Sequence, residues 1–240
     1  MKVSIIIPCY KFSPYIEECV SSVLMQKTNF DFEILIRDDF SNDGSDEIIE
    51  KIAHENKNVR YFKSNENIGG HKNIKFLLDL ADSEYIAYLD GDDYWTASDK
   101  LQKQIDFLDA NPEYSMCFCG YWRQREFDKS SINLNVWEGP NFYESDDFSS
   151  DDFFGNNPVN SLTRVFRNRK GIFKDYFLDC FINDLPLNYE ISKIGKIKFL
   201  NFPGGVYREH AGSASSLHGS LTEIEFKNLL DKTLFLMKNN

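Results

Sequence analysis

Apolar, β-rich runs alternate with amphipathic stretches through the first 110 residues, and this alternation constrains the fold more than any other feature of the chain. Val3 to Pro8, Phe32 to Arg37, Val59 to Phe62 and Tyr85 to Leu89 read as strands. Between them Ile16, Val20, Val23 and Leu24, then Ile48, Ile49 and Ile52, then Phe76, Leu77 and Leu80 recur at helical spacing. Ser45 is placed to cap the second of these helices. Strands and helices in strict alternation require right-handed crossovers, which predicts an α/β fold with a Rossmann-like, doubly wound, mostly parallel sheet and helices on both faces.

The pattern continues with a helix from Leu101 to Leu108, ended by Asn111-Pro112, and a strand from Ser115 to Tyr121. It then weakens. Residues 123–157 are polar, acidic and aromatic, and read as a loop with a short strand over the ligand-binding edge. Asp146, Asp147, Asp151 and Asp152 in it read as helix-cap and solvated groups rather than ligands. A strand at Leu162 to Phe166, a helix from Leu185 to Ile194 and strands at Lys196 to Leu200 and Gly205 to Arg208 complete a body of residues 1–220. A final amphipathic helix, Leu221 to Met237, carries Leu229, Leu230, Leu234 and Met237 near one face. It is expected to pack on the core or on a second copy in a homodimer, rather than on a membrane.

Charge and composition exclude some functions. A net charge of -11 argues against nucleic acid as a partner, which would call for a basic surface. No apolar stretch is long enough to cross a bilayer, and the amino-terminal run is too short for a signal peptide. The five cysteines lack zinc-site spacing and leave one over after pairing, so reduced thiols and a cytoplasmic location are expected.

Chemistry gathers where the strands end. Tyr88-Leu89-Asp90-Gly91-Asp92-Asp93 places three carboxylates within four residues. Such crowding suits a hard divalent cation such as Mg²⁺ or Mn²⁺, although Asp-Gly also marks an ordinary turn. Further clusters follow the first strand (Pro8-Cys9-Tyr10), the second (Asp38-Asp39 to Ser45) and a late one (Tyr207-Arg208-Glu209-His210). Strand ends in a parallel sheet share one edge, so these distant residues are expected in one crevice. Asn67-Ile68-Gly69-Gly70-His71-Lys72 opens a helix. Its glycines let backbone N–H groups approach a phosphate, with charge from Lys72 or His71, or they answer a loop that needs positive φ.

In this order, VSIIIPCY, ILIRDDFSNDGS, NENIGGHKN, EYIAYLDGDDYW, IND and VYREHAGSAS resemble the inverting family 2 glycosyltransferases of the GT-A fold. The resemblance runs from Val3 to about Ser216, and YWTASDKLQKQIDFLDANPEYS resembles bacterial members that build surface polysaccharides. It implies a nucleotide-sugar donor, usually a UDP-sugar, with Mn²⁺ or Mg²⁺, and a saccharide or lipid-linked saccharide acceptor. The donor half would be residues 1–120 and the acceptor half 121–220. Peripheral contact with the inner face of a membrane fits such acceptors.

Carried over residue by residue, Pro8 and Tyr10 would border the base. Asp39 would hydrogen-bond uracil, with Asp38 nearby. Asp92 would hold the metal, Asp90 would assist through ribose or metal-bound water, and His210 would contact metal or diphosphate beside Arg208. Asp184 falls at the position of the catalytic base, preceded here by Asn183. Each has a plainer reading: Asp184 as a helix cap, His210 as a loop residue, Asp38 as the cap of its own loop. Two other functions compete. A nucleotidyltransferase making nucleotide sugars would show a basic glycine-rich loop near the amino terminus, which Ile7-Pro8-Cys9-Tyr10-Lys11 is not. A non-catalytic relic of the fold would not be expected to keep Asp39, Asp90, Asp92 and Asp184 together.

Overall fold

The computed structural model describes residues 1–125, 133–138, 146–154, 157–182, 184–213 and 221–240, with the backbone alone for 133–138. Strand β1 (Val3–Cys9) is buried along its whole length, as a strand must be when both its edges are paired and both its faces covered. It lies parallel to β2 (Phe32–Asp38) and to β4 (Tyr85–Tyr88), and β3 (Val59–Lys63) extends the sheet beyond β2. Helices α1 (Ile16–Leu24), α2 (Ser45–Glu55) and α3 (Gly70–Leu80) make the crossovers. Side chains alternate across the sheet. Ile5 and Ile7 join Ile16, Val20 and Ile49 in one apolar layer, and Ile6 joins Leu35, Ile74 and Leu77 in the other.

Ser45 does not cap α2. Gly44 occupies that position at φ 95°, and Asp43 Oδ1 accepts from the N–H (3.0 Å) and hydroxyl (2.6 Å) of Ser45. The aspartate reaches two residues ahead, as short acidic side chains do in turns, and leaves Ser45 inside the helix.

The second half is mixed. After β5 (Tyr94–Trp95) and α4 (Lys100–Ala110) come β6 (Tyr114–Arg125), β7 (Asn133–Glu138), β8 (Asp147–Phe148), β9 (Val165–Arg167), α5 (Asp184–Ser192), β10 (Lys196–Glu209) and α6 (Glu223–Asn239). The main path of the sheet is β3-β2-β1-β4-β9-β6-β10-β5. Strand β9 is antiparallel to both β4 and β6, and β10 is parallel to β6. Two reversals therefore restore the direction of β4. The carboxyl ends of β1, β2, β4 and β10 face one edge, as expected.

The strand expected at Leu162 begins as a 3-10 turn, Ser161–Thr163, because Asn160 caps the N–H of Leu162 at 3.2 Å. The two late strands are one. Strand β10 absorbs register shifts between Leu200 and Gly205, where Pro203 cannot donate to a regular ladder. Helix α6 packs on the body, with Met237 buried and Leu230 and Leu234 against the apolar layer that holds α5. No helix among the described residues is long and apolar enough to cross a membrane.

Candidate active site

A cavity of about 430 Å³ opens at the carboxyl edge of the parallel strands, lined by Pro8, Tyr10, Asp39, Gly69, His71 and Asp90 among others. The chain leaves β1 and β2 at this edge, and the loop before α3 closes the third side. Asp39 is held there by the N–H groups of Ile68 (3.0 Å) and Gly69 (2.8 Å) and by Arg37 at 3.3 Å. Gly69 sits at φ 85°, so glycine is needed for the backbone to present that N–H. A carboxylate has roughly four acceptor sites, so one remains for a ligand. Asp38 turns away. Its carboxylate accepts from the N–H of Ser41 at 3.0 Å and from the Ser41 hydroxyl, which shapes the loop after β2. Lys72 is exposed on α3 and does not line the cavity, whereas His71 does.

At the end of β4 the three carboxylates diverge. Tyr88 donates its hydroxyl to Asp90 at 2.9 Å. Burial and the charge of Asp92 push the Asp90 carboxyl up to about 7, against the opposing effects of Tyr88 and Arg164. Asp93 is fully buried and accepts the N–H of Arg208 at 2.9 Å. Burial, then the charges of Asp92 and Asp90, hold its carboxyl well above the usual range.

Asp92 Oδ2 lies 3.2 Å from His210 Nε2, joining the end of β4 to the end of β10. The N–H of Gly212 points at His210 Nδ1 at 3.2 Å, and the imidazole stacks on Tyr15 with ring centroids 4.6 Å apart. A carboxylate oxygen beside an imidazole nitrogen suits Mn²⁺ better than Mg²⁺. Among the described residues no three His, Cys, Asp or Glu side chains converge on one point. Ligand oxygens and water would therefore have to complete an octahedral shell. The pair fits an ion that arrives with a diphosphate.

Arg208, beside this pair, is buried. Only 3% of it is exposed. Its Nη1 donates to the Asp92 carbonyl at 2.7 Å, its Nη2 pairs with Glu18, and its guanidinium lies 4.3 Å over the Tyr94 ring. It braces the turn that carries Asp92.

Asp184 opens α5. Its Oδ1 accepts the Leu185 N–H at 2.9 Å and its Oδ2 accepts Asn157 Nδ2 at 2.8 Å. It therefore satisfies one free N–H at the start of α5, and it is half-buried outside the lining of the cavity. The negative charge of Asp184 contributes to the upward shifts of both Asp90 and Tyr88, which places all three in one electrostatic neighbourhood. Asn183 lies outside the described residues. Glu209, the other acid near this edge, is paired with Arg123 at 3.0 Å and Arg125 at 2.8 Å.

Sequence reasoning assigned no role to Arg164. It is 1% exposed, lies 4.5 Å over the Tyr88 ring and donates to Asn188 Oδ1 at 2.8 Å. Burial lowers its pKa, while Tyr88, Asp184 and Asp90 act to raise it. The available signal was one charged residue inside an otherwise apolar strand pattern.

Known proteins resemble this chain in sequence and in fold. The family model for glycosyl transferase family 2 matches residues 4–173. Uncharacterized protein Rv1520 of Mycobacterium tuberculosis is 33% identical over 209 residues, 87% of this chain and 59% of its own length. The putative teichuronic acid biosynthesis glycosyltransferase TuaG of Bacillus subtilis is 35% identical over 119 residues, 50% of this chain and 46% of TuaG. The chain thus spans about three fifths of the first of these relatives and less than half of the second. In fold it resembles S. aureus TarS 1-349, solved in complex with UDP-GlcNAc, with a TM-score of 0.68 and 19% identity over 98% of this chain and 72% of that one. With the family match covering most of the chain, this protein belongs to glycosyl transferase family 2.

Proposed function

We propose that the chain transfers a sugar from a UDP-sugar to a hydroxyl of a saccharide or lipid-linked saccharide in bacterial surface polysaccharide synthesis, with inversion at the anomeric carbon. The observation that carries this reading is the cavity at the carboxyl edge of the parallel strands, which Asp39 and Asp90 line with Pro8 and Tyr10. Asp184 lies near enough for its charge to be felt at Asp90. The TarS complex supports UDP as the nucleotide, and TuaG supports a cell-surface glycan as the product class.

In this reading Tyr10 and Pro8 flank the base, and the remaining acceptor site of Asp39 takes the N3–H of uracil. Asp90, held by Tyr88, assists through the ribose or metal-bound water. Asp92 and His210 would hold Mn²⁺ or Mg²⁺, which when bound stabilises charge on the departing diphosphate. Asp184 accepts the proton of the acceptor hydroxyl as its oxygen attacks the face of the anomeric carbon opposite the diphosphate. A single displacement inverts that centre and needs no nucleophile from the protein. Lipid-linked acceptors would bring the enzyme to the inner face of the membrane, and α6 offers a second copy a partly apolar surface.

The competing nucleotidyltransferase would cradle a triphosphate with a basic, glycine-rich loop after β1, where this chain has Pro8-Cys9-Tyr10-Lys11. Incubation with UDP-sugars and Mn²⁺ separates the two. Release of UDP supports transfer to water or acceptor; release of pyrophosphate from UTP and a sugar phosphate would replace that reading.

A further inference from the structure

From Asp90 at the cavity to Asp184 runs a file of side chains of which the reaction as drawn uses only Tyr88. Tyr88 donates to Asp90 at 2.9 Å, and the Arg164 guanidinium lies 4.5 Å over the Tyr88 ring. Arg164 Nη1 donates to Asn188 Oδ1 at 2.8 Å, Asn188 Nδ2 donates to Asn157 Oδ1 at 3.0 Å, and Asn157 Nδ2 donates to Asp184 Oδ2 at 2.8 Å. Every hydrogen bond from the guanidinium onward points its donor toward Asp184. The directions are mutually enforcing, because a guanidinium only donates and a carboxylate only accepts. Neither amide can flip without facing donor to donor or acceptor to acceptor.

Arg164 is the unusual member. A buried guanidinium is costly unless an anion compensates it. Yet among the described residues no carboxylate lies within ion-pair distance of Arg164, and its Nε is buried without a hydrogen-bond partner. The anions it serves are reached indirectly, Asp90 through Tyr88 and Asp184 through two amides. Asn188 is fully buried and also donates to the Val159 carbonyl at 3.3 Å, which fixes the middle of the file to the backbone.

We propose that Arg164, Asn188 and Asn157 are positioning residues for the base: the file fixes one oxygen of Asp184, so that the remaining lone pairs face the acceptor hydroxyl. The inference rests on Asp184 being the base and adds what aims it. Such aiming matters because displacement of a reacting group by about 1 Å can cost on the order of 10²-fold in rate.

The test uses UDP-GlcNAc as donor probe with Mn²⁺ and water as acceptor, reading turnover and donor KM. Asn157 is only half-buried, so Asn157→Ala should fold. It should lower kcat about tenfold or more with donor KM unchanged, a fraction of the misplacement cost. In an Asp184→Asn background the same change should cost nothing further, since there is no base left to aim. Arg164→Lys, which keeps the cation, should retain more turnover than Arg164→Met at matched thermal stability. Wild-type kcat in Asn157→Ala, or an equal loss in both backgrounds, would overturn the positioning role while leaving the base assignment standing. Full turnover in Asp184→Asn alone would instead remove the base assignment, and the positioning role with it.

Discussion

The carboxylates proposed for the donor and for the acceptor are held by different means. Asp39, at the proposed donor end, is clasped by two backbone N–H groups from the loop before α3 and by Arg37. Asp184, at the proposed acceptor end, has one helix N–H and a file of side-chain amides. Backbone clasps fix a group rigidly and through a short local motif, whereas side-chain files can be exchanged one residue at a time. A shared nucleotide on one side and a changeable acceptor on the other would suit that contrast. The division predicts that donor-side changes damage binding and acceptor-side changes damage chemistry alone.

The largest effect on turnover is expected from Asp184→Asn. The amide preserves shape but cannot take up a proton, so UDP release from a UDP-sugar should fall roughly 10²–10⁴-fold. A loss below threefold would move the base elsewhere. Next comes Asp92→Ala, expected to lower turnover about 10²–10³-fold, on the scale of losing one group that stabilises transition-state charge. UDP affinity should fall with it in Mn²⁺ and stay unchanged in EDTA. Equal affinity of mutant and wild type in Mn²⁺ would take Asp92 out of the metal site.

Asp39→Asn is expected to weaken UDP binding about tenfold, in keeping with the roughly 1–3 kcal/mol cost of an unmatched buried group. The amide nitrogen must also face a backbone N–H, so thermal stability should drop as well. Affinity per folded molecule is therefore the deciding quantity, and an unchanged value would make Asp39 purely structural.

The smallest effect on turnover belongs to Lys100, which lies away from the cavity. It is buried, donates to Gln104 at 2.7 Å and sits 4.1 Å over the Trp95 ring. Burial lowers its pKa from 10.5 to about 8. Between those values the unfolded chain binds a proton that the folded chain has lost. Stability carried by this group therefore rises with pH across that window, by up to about 3 kcal/mol, and at pH 7 the buried charge is a penalty. Lys100→Met should abolish the rise and leave UDP binding unaltered. Denaturant midpoints from pH 7 to 10.5 would check it, and a slope that persists in Lys100→Met would assign it to other groups.

The same contrast explains what the sequence reveals. In the first half β1 pairs with β2 and β4, and β2 with β3, all in parallel, and alternation alone places Pro8, Asp39 and Asp90 on one edge. Asp92 and His210 could be named from motif order, although nothing local predicts that residues 118 positions apart meet at 3.2 Å. Beyond β6 the chain reverses through β9, a three-residue strand whose pairing with β4 and β6 is set by distant partners. Propensity reads Leu162 to Phe166 as one strand because it cannot sense the Asn160 cap. Nor does any local pattern show the partners of Arg208, since Glu18, Tyr94 and the Asp92 carbonyl come from three separate parts of the chain. Arg164, Asn188 and Asn157 carry no motif at all.

The most direct test of the proposed division between donor and acceptor ends is calorimetric titration of UDP into Asp184→Asn in the presence of Mn²⁺. An affinity within twofold of the wild type, alongside the loss of turnover, is the predicted result. A tenfold weaker affinity in a variant of unchanged thermal stability would contradict it, because Asp184 would then belong to the donor site.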